Sequence, residues 1–360
     1  MPSFVFKQRF SKTLFITGQF SLCLIIYSYS ALYSPAIYAF EYFQPLPTQA
    51  LIAADNPQTA EKIQLGKTLF YDKRLSSNRT YSCNTCHNLL TGGDDDRAHS
   101  IGIDGTATKR SAPGLWNIGL QTVLYWDGRV DTLEQQARDH LLDKQIMGNT
   151  DADALIQRLA KNSNYQKRFA EVFGNKDALT FNNLTKALAS FQRALLAPNS
   201  PFDRYLDGDE DAVSELAKRG QKIFHEVGCS ACHFGVNYAG PAPGPALNKM
   251  GDGFYELFPT AAGSKYDSLL DLMSDTGRFG FTGIDREHYM WRVPSLRNIA
   301  LTAPYFHNGS AKTLRLAVLA MGKAQYNTDL TEDQVDAIVA FLNSLTGELP
   351  KVLRTKQASQ

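Results

Sequence analysis

Two hexapeptides constrain this chain more than anything else in it: Ser82-Cys83-Asn84-Thr85-Cys86-His87 and Gly228-Cys229-Ser230-Ala231-Cys232-His233. Each contains C-x-x-C-H. Two thiols at that spacing reach the two vinyl groups of one porphyrin as thioethers, and the adjacent imidazole reaches its iron. Two other chemistries use paired cysteines. A redox dithiol of the thioredoxin kind sits beside a βαβ pattern, and a four-cysteine zinc site needs a second pair close in sequence. Neither accompanies these motifs. Of five cysteines, four fall inside the two motifs. The sequence therefore predicts two covalently attached c-type haems, and a chain that must close around each of them.

With 360 residues, 43% of them hydrophobic and 20% charged, the chain is long enough for about two domains. Its formal charge of +1 lacks the basic excess of a nucleic-acid partner. Positions 1–39 differ from the rest. Lys7, Arg9 and Lys12 precede an apolar run from Leu14 to Tyr27, small residues including Ala36 and Ala39 follow, and no acidic residue occurs. That is the layout of an export signal, cleaved or retained as a membrane anchor. Cys23 follows Phe20-Ser21-Leu22, a poor lipoprotein box, and is read as discarded with the signal. The folded part is expected in the periplasm.

The chain also repeats itself. Gly66-Lys67-Thr68-Leu69-Phe70 precedes the first motif as Gly220-Gln221-Lys222-Ile223-Phe224 precedes the second, with a connection eight residues shorter. Further on, Pro113, Leu115, Asn117, Ile118, Leu120, Gly128, Thr132 and Leu133 recur as Pro294, Leu296, Asn298, Ile299, Leu301, Gly309, Thr313 and Leu314, at a constant offset of 181. Two related domains follow, each around its own haem. Both read as helices joined by long loops. Thr331 with Gln334 makes a capping box for a helix whose face is Val335, Ile338, Val339, Leu342 and Leu345, and Gly347 then Pro350 stop it. Another helix runs from Asn182 to Leu196. No period-two alternation marks a strand. Pro198 to Asp211, rich in Pro, Gly and Asp, reads as the domain junction. Asp207, Asp209 and Asp211 there imitate a calcium loop, but Ala212 and Lys218 stand where it needs Gly and Glu, leaving a solvated acidic turn.

A haem iron has two axial faces. For the second haem the candidate opposite His233 is Met321, on a helix beginning near Thr313, where a thioether would raise the potential. Methionine as core filler is the other reading, and spacing alone leaves both open.

The chain from Asn56 to Leu349 resembles the bacterial di-haem cytochrome c peroxidases and their MauG-type relatives. The stretches that carry the likeness are Leu69-Phe70-Tyr71-Asp72-Lys73-Arg74-Leu75-Ser76, Trp126-Asp127-Gly128-Arg129, Val293-Pro294-Ser295-Leu296-Arg297-Asn298 and Ala303-Pro304-Tyr305-Phe306-His307-Asn308-Gly309. The resemblance implies a mainly α fold of two cytochrome c-like domains, over 40–205 and 206–348, with a tail over 349–360. It implies that Met321 ligates the high-potential haem, where MauG has tyrosine, and that Trp126, also readable as a core aromatic, relays electrons between the haems. It further implies a calcium ion between them, held by the backbone carbonyls of Thr302 and Pro304, with Ser111 in the place of the usual asparagine. The peroxidases are often homodimers.

Two departures stand at the first haem. The segment that carries a distal histidine in activatable peroxidases reads Ser100-Ile101-Gly102-Ile103, and Ile146 precedes Met147-Gly148 where the family has a glutamate. The repeat supplies a substitute. The offset of 181 maps Met321 onto His140, with Gln136 one helical turn earlier. His140 is thus expected over the first haem, moving a proton during O–O cleavage or filling the sixth iron site; an ordinary surface or core histidine is the alternative. His99, His225 and His288 are taken as non-ligands, and His307 as structural near the second haem.

The resulting expectation is hydrogen peroxide reduction at the first haem, with electrons passed through the second from a small cytochrome c or cupredoxin. The alternative is a MauG-like oxidation of aromatic residues in a partner protein. A non-catalytic di-haem electron carrier would follow if His140 ligated tightly in every redox state.

Overall fold

Gly66 and Gly220, the first matched pair of the repeat, mark where each half closes. Gly66 lies on the helix Ala60–Phe70, and a Cβ there would run into the Ala187 carbonyl of the helix Phe181–Arg193. Gly220 lies on the helix Glu215–Glu226 and would meet the Ala337 carbonyl of the helix Glu332–Ser344 in the same way. Without a side chain, backbone packs directly on backbone. Around these crossings the two cores assemble, Leu65, Leu69, Leu184, Leu188 and Phe191 in the first, Ala217, Phe224, Val335, Ile338 and Phe341 in the second. The protein is a computed structural model that describes residues 43–47, 49, 53–240 and 254–354. The expected export segment and positions 355–360 of the tail lie outside the described residues. Those described fall in one compact unit, Pro35–Gln360, and none of their helices is long and apolar enough to cross a membrane.

The repeat at offset 181 is a repeat of backbone geometry. Asn117 and Asn298 both adopt left-handed conformations, with φ of 65° and 58°, which asparagine tolerates. Their amides donate to the carbonyls of Leu195 and Leu345, at 2.6 and 3.1 Å. Their Oδ1 atoms accept from the N–H groups of Ala197 and Gly347, at 2.9 and 2.7 Å. Tyr125 and Phe306 follow at φ of 64° and 72°, and Gly128 and Gly309 at 62° and 60°. Thr132 and Thr313 then cap the helices Leu133–Leu142 and Leu314–Tyr326, each accepting from the third N–H of its helix. Whatever those helices present, both halves present it from the same scaffold.

Elsewhere the structure adds elements that the sequence pattern did not show. The junction segment is partly helical. It holds the helix Pro201–Leu206, opened by a Ser200/Asp203 capping box, with Phe202, Tyr205 and Leu206 buried in the second core. Asn199 is exposed, and Asp207 to Asp211 form a solvated turn. The helix is fixed by an ion pair the spacing did not reveal. Arg297 meets Asp203 through two bonds of 2.8 and 3.0 Å, with side chains 1% and 5% exposed. Burial alone would raise the Asp203 pKa, and the Arg297 charge and the Ser200 hydrogen bonds reverse that and hold it low. A short antiparallel ribbon also appears, Tyr255–Leu257 against Met290–Arg292. Three residues a strand are too few for alternation to show. It carries Trp291 and Arg292, and the Arg292 N–H donates to the Trp126 carbonyl of the first half at 2.9 Å.

Removing one partner of a buried ion pair strands the other charge. Asp203→Ala is expected to lower the unfolding free energy of the holoprotein by about 3–5 kcal/mol in urea titrations. A loss below about 1 kcal/mol would mean that the pair behaves as an exposed one.

Candidate functional site

The first motif forms the short helix Cys83–Cys86, started by a Ser82/Thr85 capping box. It opens into a cavity of about 480 Å³ whose wall includes Cys83, Cys86, His87, Trp126, Gln136 and His140. Burial pushes the Cys83 thiol up to about 12 and Cys86 to about 11. A redox dithiol needs the opposite shift, and among the described residues no group of three or more ligating side chains could hold a metal ion. His87 donates its Nδ1–H to the Gly93 carbonyl at 2.9 Å, and burial lowers its pKa, so a neutral ring keeps the Nε2 lone pair available.

The second motif repeats this chemistry in a smaller space. A cavity of about 230 Å³ is lined by Cys229, Cys232, His233 and Met321. Burial raises Cys229 to about 12 and Cys232 to about 11. His233 donates Nδ1–H to the Tyr238 carbonyl at 2.9 Å. A thiol pair, a free imidazole lone pair and a cavity in each half fit one haem c each.

Six residues line both cavities, Ser111, Ala112, Pro113, Ile118, Trp126 and Arg292. Trp126 is therefore part of the partition between them. Its Nε1–H donates to the Ser111 carbonyl at 2.9 Å, and the Arg292 guanidinium lies 5.9 Å from its ring centre. The stretch is clamped by charge. Asp127 takes Arg110 at 2.6 Å and Arg129 at 2.8 Å, and Arg110 reaches Asp275 of the second half at 2.8 Å.

His140 and Gln136 sit one turn apart on the helix Leu133–Leu142 and both line the first cavity. The Nδ1 of His140 lies 3.0 Å from the Gln136 amide nitrogen and 2.8 Å from the Tyr125 hydroxyl. An amide NH₂ can only donate, so Nδ1 accepts and the neutral ring carries its proton on Nε2. Burial first, then the charges of His87 and Arg129, push its pKa down to about 3, which keeps the ring neutral at ordinary pH.

A family model described as di-haem cytochrome c peroxidase matches residues 60–211, and one described as cytochrome c matches residues 217–346. The chain is 37% identical over 311 residues to the cytochrome c551 peroxidase of Pseudomonas aeruginosa, with 86% of each chain covered. The chain belongs to the di-haem cytochrome c peroxidase and MauG family. It is also 32% identical over 314 residues to the methylamine utilization protein MauG of Methylophilus methylotrophus, covering 82% of this chain and 86% of that one. Among solved structures it matches a MauG-like protein associated with microbial copper homeostasis, with a TM-score of 0.74 at 30% identity over 86% of this chain and 97% of that one. Membership makes the protein a peroxidase-type oxidoreductase carrying haem c.

Ser100, Ile101 and Gly102 line the first cavity. The Ile103 amide is spent on the Gln145 carbonyl at 2.8 Å. Ile146 lines the cavity, and so do two carboxylates: Asp127, held by Arg110 and Arg129, and Asp143, whose Oδ1 accepts from the amides of Gln145 and Ile146 at 2.8 and 2.9 Å. Ser111, Thr302 and Pro304 come together in the wall of the second cavity, with Ser111 Oγ donating to the Arg97 carbonyl at 3.3 Å. His99, His225 and His288 line neither cavity; His307 lines the second, stacked on Trp291 at 4.1 Å between ring centres. Sequence reasoning passed over Tyr125, Arg129 and Arg292, which belong to no metal motif. The offset of 181 could have flagged Tyr125, whose counterpart is Phe306.

Replacing both thiols of one motif should remove one haem and leave the other. For Cys229→Ser with Cys232→Ser, the pyridine haemochrome of purified protein is expected to report one covalent haem per chain in place of two. An unchanged count would contradict the attachment.

Proposed function

We propose that the protein is exported to the periplasm and reduces hydrogen peroxide at its first haem site, with electrons drawn through the second. A bound haem c supplies iron that accepts peroxide in one half and exchanges single electrons in the other. His87 would hold the iron of the first, and His233 with Met321 that of the second, where a thioether would favour the reduced state. Trp126, shared by both cavity walls, carries electrons between them. A small cytochrome c or a cupredoxin supplies them. A calcium ion held by Ser111 and the carbonyls of Thr302 and Pro304 would tie the two sites together.

The observation that supports this reading most is the hydrogen bonding of His140. With Nδ1 accepting from Gln136 and Tyr125, Nε2 keeps its proton and has no lone pair to offer iron. His140 then acts on the open side of the first site as a donor. It holds the outer oxygen of peroxide and delivers the proton that the missing glutamate would otherwise deliver. Gln136 keeps the ring in that tautomer. The same argument disfavours the electron-carrier reading, which needs His140 on the iron. Oxidation of aromatic residues in a partner protein remains the second reading, favoured by Ile146 in place of the glutamate and by the likeness to MauG.

His140→Ala is expected to lower kcat/KM for peroxide, with reduced cytochrome c as donor, by about 10²–10⁴. A value within about threefold of the parent would remove His140 from the proton path, and a clear rise would make it a blocking ligand.

A further inference from the structure

Tyr125 is a half-buried aromatic that the peroxide reaction above uses only as a hydrogen-bond donor to His140. It precedes Trp126 in the partition, lines the first cavity, and adopts a left-handed backbone. Its ring stacks on His140 with centroids 5.3 Å apart and planes inclined at 28°, and its hydroxyl lies 2.8 Å from His140 Nδ1. The Gln136 carbonyl is a second and longer acceptor, at 3.4 Å. The Arg129 guanidinium covers the other side of the ring, 3.5 Å from its centre.

The two neighbouring aromatics differ in what can happen to their protons. Trp126 donates Nε1–H to a backbone carbonyl, which is not a base, and the charge of Arg292 lies over its ring. An electron lost there leaves a cation facing a cation. Tyr125 also has a cation against its face, so losing an electron alone would be just as unfavourable. It differs in that its hydroxyl already donates to an imidazole nitrogen, a base, at 2.8 Å. If the proton leaves with the electron, the ring stays neutral beside Arg129.

We infer that Tyr125 is a redox residue of the first site, oxidised by one electron while its phenolic proton passes to Nδ1 of His140. The inference rests on the peroxide reaction proposed above. Reduction of hydrogen peroxide to two waters takes two electrons and two protons. One electron comes from Tyr125, whose O–H bond breaks as an N–H bond forms on Nδ1 of His140, and the other from the second haem site; one proton is the Nε2–H of His140 and the other comes from solvent. Tyr125 is left as a neutral radical and His140 as a neutral imidazole with its proton on Nδ1. Two electrons from the donor protein refill the second site and, with the proton returned from Nδ1, restore the phenol, while solvent reprotonates Nε2. The repeat supports a dedicated role. In the second half, where Met321 replaces His140, Phe306 replaces Tyr125, so hydroxyl and imidazole occur together in one copy and are absent together from the other. Phe306 shares the left-handed φ of Tyr125, so phenylalanine fits this backbone.

The test is freeze-quench electron paramagnetic resonance of the holoprotein mixed with hydrogen peroxide in the absence of donor. It would be grown with ordinary or ring-deuterated tyrosine and compared with Tyr125→Phe. The expected result is a radical signal that narrows on deuteration and is lost in Tyr125→Phe, while the Soret band of that variant still responds to peroxide. A signal indifferent to tyrosine deuteration, one that survives Tyr125→Phe, or no radical beside a responding Soret band would overturn the inference and leave the peroxide reaction standing. A Soret band of the parent protein that ignores peroxide would overturn both.

Discussion

Each half of this protein depends on one hydrogen bond, from the Nδ1–H of a motif histidine to a backbone carbonyl, His87 to Gly93 and His233 to Tyr238, both at 2.9 Å. The bond fixes the tautomer, and the tautomer leaves Nε2 as the nitrogen with a lone pair. It also ties each motif imidazole to the loop that follows its motif. Covalent attachment then needs only that the two thiols stay reduced and close, and burial keeps them protonated. The rest of the fold positions what lies across each cavity from that imidazole.

What lies across differs, and the difference is chemical where the backbone is the same. The helices capped by Thr132 and Thr313 offer His140 in one half and Met321 in the other. The left-handed position before them offers Tyr125 or Phe306, and the next residue Trp126 or His307. A thioether can only ligate or fill space, whereas the imidazole is held by Gln136 and Tyr125 with its proton on the far nitrogen. On the proposed function, one copy would hold an electron and the other would move protons with it. Trp126 and Arg292 line both cavities and stand between the two copies.

Much of this was legible because the chemistry sits in contiguous sequence. The thiols and their histidine are neighbours, caps such as Thr331/Gln334 act over three residues, and left-handed asparagines recur at one offset. The family likeness and the mainly helical, haem-binding fold were readable from these. The helix Pro201–Leu206 was hidden in the junction segment because the Pro, Gly and Asp around it are turn formers. Its place in the core depends on Arg297, 94 residues away. The ribbon that brings Arg292 to the Tyr125 carbonyl, 167 residues away in sequence, has strands too short to leave a pattern. Tyr125 itself looked like any aromatic beside a motif. Its meaning comes from His140, which the repeat had already located without saying which nitrogen was free.

The central claim is that the two haem sites are unlike, one open above His87 and one closed by Met321. Low-temperature electron paramagnetic resonance of the fully oxidised holoprotein tests it directly. The account predicts one high-spin ferric signal, from the first site, beside one low-spin signal from the second. Two low-spin signals, one of which turns high-spin in His140→Ala, would place His140 on the iron and contradict it.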